Sequence, residues 1–334
     1  MNRVLVRGDG VAAYCCVHLL QQAGIPVSME RLNRPRLPAI MLTEAALALL
    51  EDIFGQRELF RNLPRISTRT VLWGPTAAPV TLPHSAVVTS EETLLASLRP
   101  GAADEECDTQ PSWRVFASGP LPPECTEQRF GLRRARAAPV DLRSGDPGCW
   151  TESTDDGWLF LIGLGGTGWL LSSGAAAQAQ LERSRVVAKQ IQRLGEPGGE
   201  FLAHPRIVSP LAGKGAGGEL WLACGTAALA FDPLCGDGTA HAVREAVLAV
   251  AVIRAIAGGA PASDVLGHYE SRLLAGFHRH LAYCANYYRT GGRSPWWSGE
   301  LDALERGIDW CAGQSRHLPA FRYRLNGFAL EAVA

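Results

Sequence analysis

The sequence predicts a mixed α/β chain: a parallel sheet assembled from discontinuous pieces, an antiparallel sheet inserted between them, and a helical C-terminus. Three observations carry this. The N-terminal stretch reads strand, glycine turn, helix, strand, a βαβ unit whose right-handed crossover makes its strands parallel. From residue 129 to 173 short strand-like runs follow one another with no helix between them. Ala240 to Ile256 is apolar on nearly every face, as an interior helix is, and helical patterns dominate the remainder of the chain.

Taken in order, "RVLVRG" is a short β-branched run. "VAAYCCVHLLQQAG" sets Val11, Cys15 and Leu19 at helical spacing and closes on Gly24. "IPVSMER" is a second strand ending at Glu30, and "LTEAALALLEDIFG" a helix capped by Thr43 and stopped by Gly55. Arg65 to Ser85 is strand-like with proline punctuation, and "SEETLLASLRPG" is a helix with a capping signature at Ser90. "WRVFASGP", Trp113 to Pro120, reads as a buried strand and turn. "RRARAAPVDL", "GWLFLIGL" and "GWLLSSG" then read as antiparallel strands. Gln178 to Leu194 is expected to be one polar-faced helix, and "GELWLACG" one more buried strand. From about Ser263 helical pieces alternate around a Trp-rich break at "SPWWSG", and acidic Gly101 to Pro111 reads as a flexible loop. The expected domains are 1–64, 85–120 and 203–260 for the parallel sheet, 65–84 and 121–202 for the insertion, and 261–334 for the helical region.

Composition excludes several classes. With 32 Lys+Arg against 33 Asp+Glu the net charge is −1, so no electrostatic footprint for nucleic acid or an anionic membrane is visible. No apolar stretch reaches membrane-spanning length, because Arg244, Glu245 and Arg254 interrupt the longest. "MNRVLVRGDG" enters a strand directly, without a signal-peptide pattern. The 9 cysteines are scattered, with no Cys-x-x-Cys, which fits the reduced thiols of a cytoplasmic protein rather than a disulfide or zinc framework. Adjacent Cys15 and Cys16 read as small core residues.

Two glycine motifs carry chemistry. Gly8-x-Gly10-x-x-Ala13 lies between a strand and a helix. The first glycine suits the tight turn, the second lets a pyrophosphate approach the backbone, and Ala13 suits helix–strand packing. Glu30, followed by Arg31, stands about twenty residues on, where an acid binds a ribose 2′-hydroxyl. The pattern is a Rossmann-like dinucleotide fingerprint. The second motif is "CGTAALAFDPLCGDGTAHAVREA", Cys224 to Ala246. A strand leads through Gly225-Thr226, Asp232-Pro233 and Gly236-Asp237-Gly238-Thr239 into the apolar helix, whose N-terminus favours negative charge.

Paired in this order, the motifs resemble the two flavin signatures of the aromatic-hydroxylase and flavin-dependent halogenase superfamily. The resemblance implies FAD, with its ADP half on the first motif and its ring half on the second. Gly236, Asp237 and Gly238 would face the flavin N1–C2=O edge. "GWLFLIGL" is similar to the tryptophan-containing strand placed over the flavin in that superfamily. "DPLCGDGT" together with "ANYYRTGGRSPWWS" is similar to the branch that matures tryptophylquinone cofactors, whose substrate is a tryptophan in a partner polypeptide. Two departures stand out. Gly225-Thr226-Ala227-Ala228 replaces the family's Gly-Asp-Ala-Ala, and the lost charge-assisted bond is worth roughly 1–2 kcal/mol. Ser90-Glu91-Glu92 stands where many relatives carry an arginine, which would keep that helix off the phosphates. Halogenases of the superfamily carry a buried lysine between the first helix and the substrate sheet, and this chain has no lysine before Lys189.

Several residues have two readings. His241, in the first turn of the late helix, either faces the flavin or packs; Asp232 is either a catalytic carboxylate or the shaper of the turn before Pro233. Trp296 and Trp297 either line a partner surface or cap the core, and Cys235 lies close to the expected ring. His84 is placed in a strand-to-helix turn, and the spacing of His268, His278 and His280 gives no metal triad. The expected activity is an FAD-dependent monooxygenase acting on an aromatic small molecule or a peptidyl tryptophan. A single fingerprint leaves no separate NAD(P)H domain, so NAD(P)H would dock transiently as reductant or reduced flavin would come from another protein. A flavin oxidase or reductase of a small molecule, and a non-catalytic flavoprotein-like partner, are the alternatives.

Overall fold

The computed structural model describes residues 3–98, 110–319 and 321–333. Of the acidic stretch expected as a loop, residues 101–109 lie outside them. The parallel sheet forms as the βαβ pattern requires. Val27–Glu30, Val4–Arg7, Trp113–Phe116 and Leu220–Ala223 are parallel neighbours in that order, and Ala212–Lys214 closes the edge antiparallel. None of the four parallel strands carries an exposed residue, because helices cover the sheet. Val11–Gln22 packs against Gly238–Ala257, where Cys16 Sγ lies 3.9 Å from the Ala246 carbonyl. The expected caps are present: Thr43 Oγ1 accepts the Ala46 N–H, Ser90 Oγ accepts the Thr93 N–H, and Gly55 adopts φ +62°.

A second, larger sheet runs Ile191–Leu194, Arg134–Leu142, Thr167–Gly174, Gly157–Gly163, Gly148–Thr154, Arg65–Leu72, Val80–Thr89, Ile40–Thr43. Its pairs are antiparallel except Arg65–Leu72 with Gly148–Thr154. Gly157–Gly163 is buried throughout. Trp158, Phe160 and Ile162 enter the main core, while Leu159 and Leu161 join Val140, Leu170 and Val187 in a second one. Val80–Thr89 continues unbroken through His84, which therefore sits within a strand rather than in a turn.

The expected helix over Gln178–Leu194 breaks in two and ends as a strand: Ala177–Arg183, Val187–Gln190, then Ile191–Leu194. The cause is Glu152, buried on the neighbouring strand Gly148–Thr154. Its carboxylate accepts the Arg185, Val186 and Val187 N–H groups and the Ser184 hydroxyl, diverting them from helical bonding. The C-terminal region is two long helices, Ala262–Gly291 and Pro295–Ser315, with Pro295 in the first turn of the second. Tyr323–Asn326 and Ala329–Ala332 add a hairpin, with Gly327 at φ +55° and Phe328 as its two-residue turn, within a region expected to be helical. No helix among the described residues is long and apolar enough to cross a membrane.

Candidate functional site

Parallel strands deliver their C-terminal ends to one edge, and here three neighbouring strands bring three turns together. Gly8 follows Val4–Arg7 with φ +133°, and a Cβ there would stand 3.0 Å from Ser118 Oγ and 3.2 Å from the Ala117 Cβ. Gly225 follows Leu220–Ala223 with φ +57°, its hypothetical Cβ only 2.8 Å from that of Ala12. Both positions need glycine twice over, for backbone angle and for space. Thr226 Oγ1 lies 3.5 Å from the Ala117 carbonyl, and Ala13 is fully buried behind the first turn. Val11–Gln22 starts at Gly10 with no side-chain cap, so its first N–H groups are left for a ligand.

A charged cluster covers this turn. Asp9, only 3 % exposed, accepts Arg36 at 2.7 Å and lies 3.3 Å from Arg34 Nε. Arg34 reaches over Gly10, its Nη2 lying 3.1 Å from where a Cβ would be. The same guanidinium makes a bidentate pair with buried Glu91, which also accepts the Leu37 N–H at 3.0 Å. Burial acts to raise the Glu91 carboxyl, but Arg34 and the Leu37 N–H outweigh it and hold it below its ordinary value. The acid that the sequence set apart from the phosphates thus sits beside the glycine turn, neutralised by Arg34. Glu30 lies 3.4 Å from Arg7, and Arg31 is exposed at the strand end.

The second motif meets the large sheet. Gly236 takes φ +66°, with Met41 Cε 3.0 Å and Phe160 Cζ 3.9 Å from its hypothetical Cβ. Asp237 precedes Gly238–Ala257 without capping it; its carboxylate lies 3.4 Å from Thr43 Oγ1 and 3.3 Å from Arg244. Gly238 is exposed with no heavy atom within 4 Å of a hypothetical Cβ, and Thr239 is half-buried beside it. Asp232 and Pro233 turn the other way. Asp232 is 1 % exposed, caps the Leu234 N–H at 3.0 Å and lies 3.3 Å from Arg133, so it shapes the turn.

Beside this turn stand residues the sequence did not single out. Arg69 donates to the Leu234 carbonyl at 3.4 Å and to Thr151 Oγ1 at 3.2 Å, and lies 5.5 Å from the Phe160 ring centre. Arg69 Nε and His84 Nε2 are buried with no partner among the described residues. Burial and then the Arg69 charge lower the His84 pKa and keep its ring neutral. Period-2 alternation places Arg69 on a strand face, but only pairing between distant strands shows what it faces. His241 is stacked on Phe231 with ring centres 3.9 Å apart, and burial lowers its pKa to about 4; it packs. Trp297 is 1 % exposed and donates to the Thr154 carbonyl at 3.0 Å, whereas Trp296 is half-buried. The fold also gathers Cys235, His280 and Cys284, whose ligand-type atoms lie within 4.8 Å of one another. Spacing among histidines alone misses that cluster because one member comes from a distant turn.

Two cavities lie away from the glycine turns, one of about 370 Å³ beside Glu152 and Arg293 and one of about 70 Å³ beside Glu270 and Trp310. Of the glycines in the paired turns, Gly8 and Gly225 are buried, Gly10 and Gly236 half-buried and Gly238 exposed. Parallel sheet, larger antiparallel sheet and C-terminal helices together are the fold of FAD-dependent aromatic hydroxylases and halogenases. A peptidyl tryptophan dihydroxylase, QhpG, essential for tryptophylquinone cofactor biogenesis, superposes with TM-score 0.73 at 19 % identity, over 90 % of this chain and 78 % of its own. The flavin-dependent halogenase CmlS gives 0.72 at 18 %, over 94 % and 71 %. The 2,6-dihydroxypyridine-3-hydroxylase of Arthrobacter nicotinovorans gives 0.61 at 13 %, over 88 % and 94 %. No family model and no curated protein matches the sequence.

Proposed function

We propose that the chain is an FAD-dependent monooxygenase that hydroxylates an electron-rich aromatic, with a tryptophan in a partner polypeptide as the favoured substrate. The observation that carries this is a pair of helix N-termini, after Gly10 and Asp237, both without side-chain caps and both preceded by glycine turns. Such starts stabilise anionic groups, and a pyrophosphate and the reduced flavin ring are two anions at opposite ends of one cofactor. The residues present fit the group: Gly238 is open to solvent, Arg34 overhangs Gly10, and Arg69 and His84 keep unpaired polar atoms.

In this reading Gly8, Gly10 and the Val11–Gln22 start hold the pyrophosphate, with Arg34 as its cation and Glu30 on the ribose. Gly225 and Thr226 line the ribityl chain, while Gly236, Asp237, Gly238 and Thr239 face the ring. Bound FAD, once reduced, supplies the activation of oxygen. Met41 and Phe160 exclude water from the substrate side, and neutral His84 offers Nε2 to a substrate N–H or O–H. Hydroxylation is favoured over halogenation because the lysines, Lys189 and Lys214, are both exposed. QhpG supports the peptidyl substrate; NAD(P)H as transient reductant and a cytoplasmic location complete the proposal.

The test is the visible absorption spectrum of the purified protein before and after FAD addition and desalting. Wild type retains a flavin spectrum, and Gly238→Leu, whose side chain would enter open space, folds normally but stays colourless. A wild-type protein that cannot be reconstituted overturns the proposal. With reduced cofactor and oxygen, a tryptophan peptide that gains an oxygen atom supports the favoured substrate. Hydrogen peroxide without hydroxylated product would instead mark an oxidase.

A further inference from the structure

Cys235 is the one exposed cysteine among the described residues. It ends the short turn Pro233–Cys235, with its Sγ turned inward against His280 and Cys284. The latter two are four residues apart on Ala262–Gly291 and so share a helix face. His280 Nδ1 lies 3.9 Å from Cys235 Sγ, and His280 Nε2 lies 3.3 Å from Cys284 Sγ. The Asp232 backbone N–H donates to His280 Nε2 at 2.9 Å, so that nitrogen is an acceptor and the neutral ring carries its proton on Nδ1, toward Cys235.

This hydrogen bond decides between a metal centre and a thiol pair. A neutral imidazole that binds a metal through Nδ1 must carry its proton on Nε2, where it would confront the Asp232 N–H. Binding through Nε2 forfeits that hydrogen bond and leaves a backbone N–H buried without a partner. A thiolate at Cys235 needs neither change, since Nδ1–H faces it and the Cys284 sulfur lies within 4.8 Å of it.

We propose that Cys235 and Cys284 are an oxidisable dithiol, in which Cys235 reduces a hydroperoxide and Cys284 resolves the product to a disulfide. The Cys235 thiolate attacks one peroxide oxygen, forming an S–O bond and breaking the O–O bond; the hydroxide released takes a proton and leaves as water. The Cys284 sulfur then attacks Cys235, forming S–S and breaking S–O, and its proton departs with the hydroxyl as a second water. Two thiols are oxidised and one hydrogen peroxide is reduced to two waters. The two acidities suit these roles. Hydrogen bonding from Cys284, opposed by burial and aided by His280, lowers the Cys235 pKa to about 6, while the same bond and burial hold the Cys284 thiol protonated. Cys16 and Cys224 have their sulfurs 4.0 Å apart but are fully buried, out of reach of an oxidant. A Cys235–Cys284 bond would tether the turn beside Gly236 to the long helix, coupling oxidation to the second glycine turn. The proposal does not depend on flavin binding.

The test uses the full chain, reduced and without added FAD, exposed to one equivalent of hydrogen peroxide and digested without reductant. A Cys235–Cys284 linked peptide is expected in wild type, and a dimedone-trapped sulfenic acid on Cys235 in Cys284→Ser. His280→Gln should slow alkylation of Cys235 at neutral pH about tenfold. The absence of the linked peptide in wild type, or oxidation of Cys235 no faster than of Cys125, overturns the proposal. So does joint protection of Cys235 and Cys284 from alkylation by equimolar zinc, which would mark a metal site instead.

Discussion

Glu245 shows what a single residue can store. It lies 5 % exposed in the apolar helix Gly238–Ala257, with Oε2 unpartnered, and burial raises its carboxyl to about 8 against the bond from the Gly225 N–H. Between the ordinary carboxylate value and about 8 the unfolded chain releases this proton and the folded chain keeps it. The folded state therefore binds more protons, and stability falls as pH rises through that window and then levels. Glu245→Gln removes the slope. Urea unfolding should find the variant equal to wild type near pH 4.5 and more stable by roughly 3–5 kcal/mol above pH 8. The sequence showed Glu245 only as a charge interrupting an apolar run; that it is buried and neutral depends on what packs around the helix, which no local pattern shows. The turn glycines were legible because a backbone angle is a local property. Arg69 and His84 were not, since their significance depends on which strands pair.

At the scale of elements, caps were readable and diversions were not. Thr43, Ser90 and Gly55 act within a few residues of themselves, so sequence alone placed them. The helix expected over Gln178–Leu194 failed because Glu152, on another strand, captured its N–H groups. The short helix Glu91–Ser97 is a mixed case: its start was legible, and its acid's partner was not. Arg34 is committed to Glu91 and Asp9, so an incoming pyrophosphate must compete for it. Glu91→Gln weakens that competition by one charge. Flavin fluorescence titration should show FAD bound about five- to thirtyfold more tightly, the equivalent of 1–2 kcal/mol. Weaker binding would mean that Glu91 positions Arg34 for the phosphates rather than withholding it.

At the scale of the whole molecule, the sheet types were legible in the sequence, but not the residue that ties the large sheet to the second glycine motif and the C-terminal helices. The joint is Arg133, 1 % exposed and absent from every motif. Its Nη1 donates to Glu300 at 2.7 Å, its Nη2 lies 3.3 Å from Asp232, and its guanidinium stands 4.5 Å from the Tyr288 ring centre. Tyr288 in turn accepts the Trp158 indole N–H at 2.9 Å. One side chain thereby links the large sheet, the second glycine motif and both C-terminal helices, drawing residues from positions 133 to 300. Burial opposes the charge, and the Tyr288, Asp232 and Glu300 contacts outweigh it and hold the guanidinium charged. Arg133→Met would bury Asp232 and Glu300 without their cation, a loss of roughly 3–5 kcal/mol. Arg133→Met with Glu300→Leu should recover part of it, because the remaining unpaired acid is then Asp232 alone, still bonded to the Leu234 N–H. Chemical denaturation of the three proteins measures both effects, and additive losses in the double variant would show that the network does not act as a unit. FAD binding should fall with stability in the single variant, since Asp232 sets the turn that presents Gly236 to Gly238.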